Sequence, residues 1–181
     1  MASIFMKISA AGKNMVPAGA ATLTMLDSAD ESKNGWFAID NMSWGAMRGV
    51  SIDIGNANNQ DGGMVAMGEV SIARSYDGAT PYLMSFLLKP GSDGKQIDII
   101  MTKPHREGQG LSEYYRMTLE GARVANYNLS GTDGGQPAES LSFTYTKITQ
   151  KCKIEDADGS LTDGQTVTYD ATNNTAPSLA S

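Results

Sequence analysis

Cysteine and histidine are nearly absent: the 181-residue chain carries one of each, Cys152 and His105. A single thiol cannot close an internal disulfide, and zinc ligation needs more thiolate or imidazole than these two side chains supply. Any Ser-His-Asp triad would have to be built on His105, and no Gly-x-Ser-x-Gly elbow is present to provide its nucleophile. A P-loop and a dinucleotide fingerprint are also missing. The stretch Asp156-Ala-Asp-Gly-Ser-Leu-Thr-Asp163 is acidic enough to resemble a calcium loop. The EF-hand needs glycine sixth and an acid twelfth; counting from Asp156, the glycine falls fourth and Val167 stands twelfth. It reads as a simple turn. No catalytic residue, metal ligand or cofactor is therefore assigned, and the chain is expected not to be an enzyme.

Positive charge is sparse as well. The formal net charge is -6, and no basic run exceeds two residues. Nucleic-acid binders show a basic patch or stripe, so neither nucleic acid nor an anionic membrane surface is an expected partner. No apolar run approaches the roughly 18 residues of a membrane span. The N-terminus lacks a charged region followed by a long apolar core. The chain is expected to fold in the cytoplasm, with any export by a leaderless route.

Glycine, by contrast, is abundant at 20 residues, and much of it lies in turn-like clusters. Period-two alternation dominates, the mark of strands with one buried face. It runs through Ile4, Met6 and Ile8; Val70 and Ile72; Ile97, Ile99 and Met101; Tyr115, Met117 and Leu119; and Leu141, Phe143 and Tyr145. Shorter strands are expected at 36–43, 48–54, 123–129 and 165–170. One segment differs: Thr80-Pro-Tyr-Leu-Met-Ser-Phe-Leu-Leu88 reads as a short helix, with Thr80 as its cap and Pro81 in the first turn. Lys89-Pro90 ends it. That helix is apolar almost all round. It either plugs the end of a sheet structure or is also buried against another subunit. About nine strands and one helix predict a mainly β fold, an antiparallel β-barrel or two-sheet sandwich with one short flanking helix. Residues 10–34 read as a long loop, Gly55–Gly63 as a polar excursion between strands, and the tail beyond Tyr169 as loosely held. Cys152 reads as a structural thiol at a strand end.

Five stretches, in order, resemble the Hcp family of type VI secretion systems. They are Ser3-Ile-Phe-Met-Lys-Ile8; Ile39-Asp-Asn-Met-Ser-Trp-Gly45; Glu69-Val-Ser-Ile-Ala-Arg-Ser-Tyr-Asp-Gly-Ala-Thr-Pro-Tyr-Leu-Met84; the hairpin Tyr114–Tyr127; and Glu139-Ser-Leu-Ser-Phe-Thr-Tyr-Thr-Lys-Ile148. The likeness runs from about residue 2 to about residue 170. It departs at the long 10–34 segment, at the tail (171–181), and at Gly78, where the family often has lysine.

The resemblance implies a tube domain over residues 1–170, a homo-hexameric ring that stacks into tubes, and export through the type VI system. It implies effector proteins as lumen cargo, and a spike and contractile sheath as partners. By the same likeness Ser43 corresponds to a lumen-facing, effector-binding position. The loop 47–67, with Asn56, Asn58, Asn59 and Gln60, corresponds to the ring-stacking loop. Ser71 and Ala73, or Ser142, Thr144 and Thr146, are candidates for a small, polar inner wall. Met42, Met47, Met64 and Met67 surround the loop as adaptable apolar contacts. The rival readings are a phage-type tail tube protein, a secreted monomeric β-sandwich binding module, and a small hydrolase centred on His105. The binding module would need an aromatic platform, for which only two tryptophans are present.

Overall fold

Alternation along the chain becomes two antiparallel sheets facing each other. The computed structural model describes residues 3–17, 19–20, 34–52, 59–105 and 110–179, with the side chains of 50–52 and 59–62 outside that description. The first sheet contains β1 (Ser3–Ala10), β3 (Trp36–Ile39), β8 (Lys95–Pro104), β9 (Leu111–Ser130), β11 (Lys147–Glu155), β12 (Leu161–Asp170) and β13 (Thr175–Ser178), with the short β2 (Lys13–Asn14) at its rim. Its order is β3-β1-β8-β9-β11-β12-β13. The second sheet runs β9-β10-β7-β4, with β10 at Ala138–Thr144, β7 at Val70–Ser75 and β4 at Asn41–Ser43.

Three corners join the sheets covalently, one of them the two-residue link Tyr145-Thr146 between β10 and β11. The first half of β9 pairs with β8 and β11; beyond Gly121 the same strand pairs with β10. Gly121 has φ +63, and a Cβ there would lie 2.4 Å from Thr146 Oγ1, so the bend needs glycine. The second corner is Asp40, between β3 and β4, whose N–H donates to Ala73 O. The result is the sandwich form of the expected architecture. The segments predicted separately at 115–119 and 123–129 are one bent strand.

The inward faces supply the core: Met6, Ile8, Phe37, Ile39, Val70, Ile72, Ile97, Ile99, Met117, Leu119, Leu141 and Phe143 are all buried. Helix α1 (Thr80–Leu88) adds Leu83 and Phe86 to it and leaves Met84 and Leu88 exposed. The alternation in β1 and β8 hides a second buried face. Phe5, Trp36 and Ile100 form a small outer cluster, with Lys7 and Arg116 placed over the Trp36 ring at 5.0 and 5.8 Å. Asp98, on the same side, accepts from Thr118 Oγ1 at 2.8 Å and faces Arg116.

Three sequence-based expectations are corrected. Thr80 is not the helix cap: the N-cap is Ala79 without a side-chain cap bond, because the Thr80 hydroxyl is turned inward to Glu139. Beyond Tyr169 the chain is not loose throughout. The Asp170 carboxylate accepts from Thr172 N–H and Oγ1, Asn174 takes φ +52, and residues 175–178 return as β13 beside β12. Pro177 lies on this edge strand, where proline is tolerated. Cys152 lies inside β11 rather than at a strand end, and it is exposed.

Much of the 10–34 segment, residues 21–33 and 18, lies outside the described residues. Its start is well built. Ala11 and Gly12 turn β1 into β2 with φ +48 and +76. Val16 then enters the core, and the chain crosses to the turn before α1. There Ala20 O occupies the space beside Gly78; a Cβ on Gly78 would sit 1.7 Å from that oxygen.

Candidate functional site

The outward face of the β9-β10-β7-β4 sheet is a wall of small neutral residues. Register fixes its ranks. Asn126, Ser142, Ser71 and Ser43 lie in one row; Asn128, Ser140, Ala73 and Asn41 in the next; Ser130, Ala138 and Ser75 in a third. In a chain of net charge -6, none of these side chains is charged or aromatic, and the one carboxylate bonded to them is Asp40 at the rim, which accepts from Ser75 Oγ at 3.1 Å. Alternation explains the division: Val70, Ile72, Glu139, Leu141 and Phe143 turn inward, so their neighbours turn out. Ser43 is exposed at the edge of this wall, in line with Ser71 and Ser142. Of the other predicted wall residues, Thr144 is exposed at the end of β10. Thr146 falls at the bend, where its hydroxyl donates to Glu120 O.

Immediately after Ser43 the chain leaves the sandwich. Strands β5 (Ala46–Ile52) and β6 (Asn59–Met67) pair only with each other among the described residues. The described part of the stretch 47–67 is thus a two-stranded ribbon. Asn59 pairs with Ile52 and Gln60 with Ser51 in the backbone, while Asn56 and Asn58 lie outside the described residues. The ribbon's base is tightly held. Gly68 N–H donates to Gly45 O at 2.9 Å, and a Cβ at Gly68 would lie 2.5 Å from that oxygen. Trp44 Nε1–H donates to Tyr145 Oη at 2.5 Å, and Tyr145 Oη–H donates to Gly68 O at 2.9 Å. Burial raises the Tyr145 pKa above the usual phenol value, and the Trp44 donor works against it.

The ribbon's two faces differ. Ala46, Val65 and Met67 turn toward Trp44, Ile148, Val167 and Tyr169 around an apolar cleft of about 240 Å³. On the other face Met47 pairs with Ala66, and Met64 stands two residues along from Ala66. Met47 and Met64 are 75% and 71% exposed.

Beneath the wall lies a buried polar knot that sequence reasoning did not assemble. Arg74 and Glu139 are 1% exposed. Arg74 Nη1 meets Glu139 Oε1 at 2.5 Å, and Nη2 pairs with Asp77. Thr80 Oγ1 donates to Glu139, Arg74 Nε–H donates to Ala38 O at 3.4 Å, and the guanidinium stands 5.1 Å from the Phe37 ring centre. The knot ties β7, the turn before α1, the helix and β10 together. Tyr127 lies above it; burial first, then the Glu139 carboxylate, push its pKa up to about 12. Arginine and glutamate in phase with the apolar residues Val70 and Ile72, and Leu141 and Phe143, were the available signal.

His105 is elsewhere, at the far end of the first sheet. It borders a cleft of about 350 Å³ with Lys103, Ser112, Glu155 and Asp156, and Lys103 Nζ meets Glu155 Oε1 at 2.5 Å across it. Among the described residues no group of three or more His, Cys, Asp or Glu could hold a metal ion, and no helix is long and apolar enough to cross a membrane.

The two-sheet sandwich, its single helix and its separate ribbon define a mainly β protein. The family model described as "Type VI secretion system effector, Hcp" matches residues 27–152, well over half of the 181 residues, and the chain belongs to the Hcp family, structural components of type VI secretion. Solved structures agree on the fold. One type six secretion system protein gives a TM-score of 0.76 at 16% identity, covering 97% of this chain and 99% of that one. Hcp1 from Salmonella typhimurium gives 0.64 at 18%, covering 97% and 98%. Hcp3, a secreted protein from Pseudomonas aeruginosa, gives 0.53 at 18%, covering 91% and 97%. No curated protein sequence matches the chain significantly.

Proposed function

We propose that this chain forms hexameric rings that stack into the inner tube of a type VI secretion apparatus, with the neutral wall facing the lumen. The wall carries this reading. A conduit that holds effectors and then releases them needs a wettable surface without fixed charge, because charged walls hold oppositely charged cargo strongly at low ionic strength. The exposed Ser43, Ser140, Asn41, Asn126 and Asn128, with the half-buried Ser71, meet that need, whereas Ser142 in the same rank is itself buried. Ser43 is the effector contact at the wall's edge. The ribbon 46–67, including Asn56, Asn58, Asn59 and Gln60, reaches the next ring. Spike and sheath are the remaining partners, and the assembled protein leaves the cell with the tube. Ring closure requires a heterologous contact, for which the exposed Met84 and Leu88 face of α1 offers apolar material.

Electron microscopy of the purified protein tests this directly. Six-fold rings are expected, with the β9-β10-β7-β4 sheet lining the hole. A monomer at high concentration, or a ring with that sheet on its outside, overturns the proposal. Replacing the ribbon by a short turn between Gly45 and Gly68 should leave rings but abolish stacks; unchanged stacks would remove the ribbon from ring-to-ring contact.

A further inference from the structure

We propose that Met47 and Met64 form an oxidation-sensitive face on the ribbon, so that a peroxide reversibly releases ring-to-ring contact. The inference rests on the tube reading above. Both residues lie on the same outward face, diagonal to one another across Ala66, and both are about three-quarters exposed. The ribbon's opposite face is already turned toward its own chain at the cleft with Trp44 and Val167. Among the described residues the outward face has no such cover.

Two methionines and an alanine are far too small a surface for a stable pairwise complex, which typically buries about 1,600 Å². Such a patch becomes useful only when several copies engage at once, where linked weak contacts multiply. A ring presenting one ribbon per subunit to another ring of the same chain supplies that multiplicity, which identifies a second copy as the occupant. The same multiplicity makes the contact sensitive, since a small loss at each ribbon is repeated around the ring.

The chemistry is a two-electron oxidation at sulfur. The thioether attacks one peroxide oxygen, the O–O bond breaks, and the products are the sulfoxide and water (or the corresponding alcohol). Methionine sulfoxide is polar and is reversed by methionine sulfoxide reductases. Among the described methionines the fold directs the reaction to the ribbon: Met6 and Met117 are buried at 0% and 1% exposure, Met15, Met42 and Met67 are partly buried against the core, Met101 is half-buried, and Met84 is only 40% exposed. The ribbon also stands outside both core sheets, so its oxidation leaves the sandwich intact.

The test treats the full chain with hydrogen peroxide and reads sulfoxide at each methionine by peptide mass spectrometry, the fold by circular dichroism, and assembly by sedimentation and microscopy. The expected result is oxidation of Met47 and Met64 ahead of Met84, with Met6 and Met117 spared, an unchanged thermal midpoint, and intact rings. The ring concentration needed for half-maximal stacking should rise about tenfold, equivalent to about 1.4 kcal/mol. Reductase treatment should restore it, and the M47L/M64L variant should stack equally with and without peroxide. Oxidised protein that stacks normally, or an M47L/M64L variant that peroxide disassembles just as readily, overturns the proposal. Untreated rings that never stack overturn it while leaving the ring itself standing; absence of rings removes the tube reading as well.

Discussion

Arg74 is the residue whose loss should cost most, and its surroundings set the size of the effect. It faces two carboxylates, Glu139 and Asp77, in a knot where Arg74 and Glu139 are almost wholly buried. Replacing Glu139 by Gln leaves Arg74 paired with Asp77 and exchanges one charge-assisted bond for a weaker one. A loss of about 1–3 kcal/mol follows, as for a disturbed buried hydrogen bond. Replacing Arg74 by Met keeps the volume but leaves two carboxylates facing each other without a cation. Breaking a buried pair from one side typically costs about 3–5 kcal/mol. With a urea m-value of about 2 kcal/mol/M, the Arg74→Met midpoint should fall by about 2 M and that of Glu139→Gln by about 1 M. Urea unfolding followed by tryptophan fluorescence measures both, since Trp36 and Trp44 report on the two sheets. Equal losses, or a greater loss for Glu139→Gln, would refute the view that the cation is the keystone of the knot.

Two further outcomes follow from geometry and burial. Gly78→Ala should push Ala20 away from the turn before α1, at a cost of about 1–3 kcal/mol for overpacking; hydrogen exchange should quicken over residues 13–20 while β9 and β10 stay protected. Tyr115 is raised to about 12 by burial and then by Cys152, and Tyr127 is raised to about 12 as described. In the unfolded chain both ionise near 10, so between pH 10 and 12 the folded form holds protons that the unfolded form has lost. Stability therefore falls as pH rises through that window. Phenolate absorbance should show these two tyrosines ionising late, together with unfolding; a full early phenolate signal from a still-folded protein would contradict it.

Much of the fold was legible because its signals are local. Alternation marked most strands of both sheets, though not β11 or the first half of β12, and apolar character bounded by Thr80 and Lys89-Pro90 located α1 within a residue. What stayed hidden depends on distant partners. The continuity of β9 through Gly121 hinges on Thr146, and β13 on a turn built around Asp170. The buried outer cluster of Phe5, Trp36 and Ile100 looked like the polar side of an alternating strand. At the candidate site, the serines and alanines of β7 and β10 were readable as a possible wall, but their alignment with Asn126, Asn128 and Ser43 needed the register. The ribbon's first strand was readable at 48–54, but the start of the second was not, because Gly55–Gly63 is rich in asparagine and glycine and strand pairing overrode that composition from Asn59 onward.

The bent strand β9 also has a mechanical meaning. A sandwich of two separate sheets resists sliding only through its apolar seam, a contact that is non-directional and yields under shear. Here one backbone runs unbroken from the first sheet into the second at Gly121, and another does so at Asp40. Load along the strands of one sheet is passed to the other through covalent bonds at these corners and at Tyr145-Thr146. A domain built this way bears load along its strands without its layers slipping.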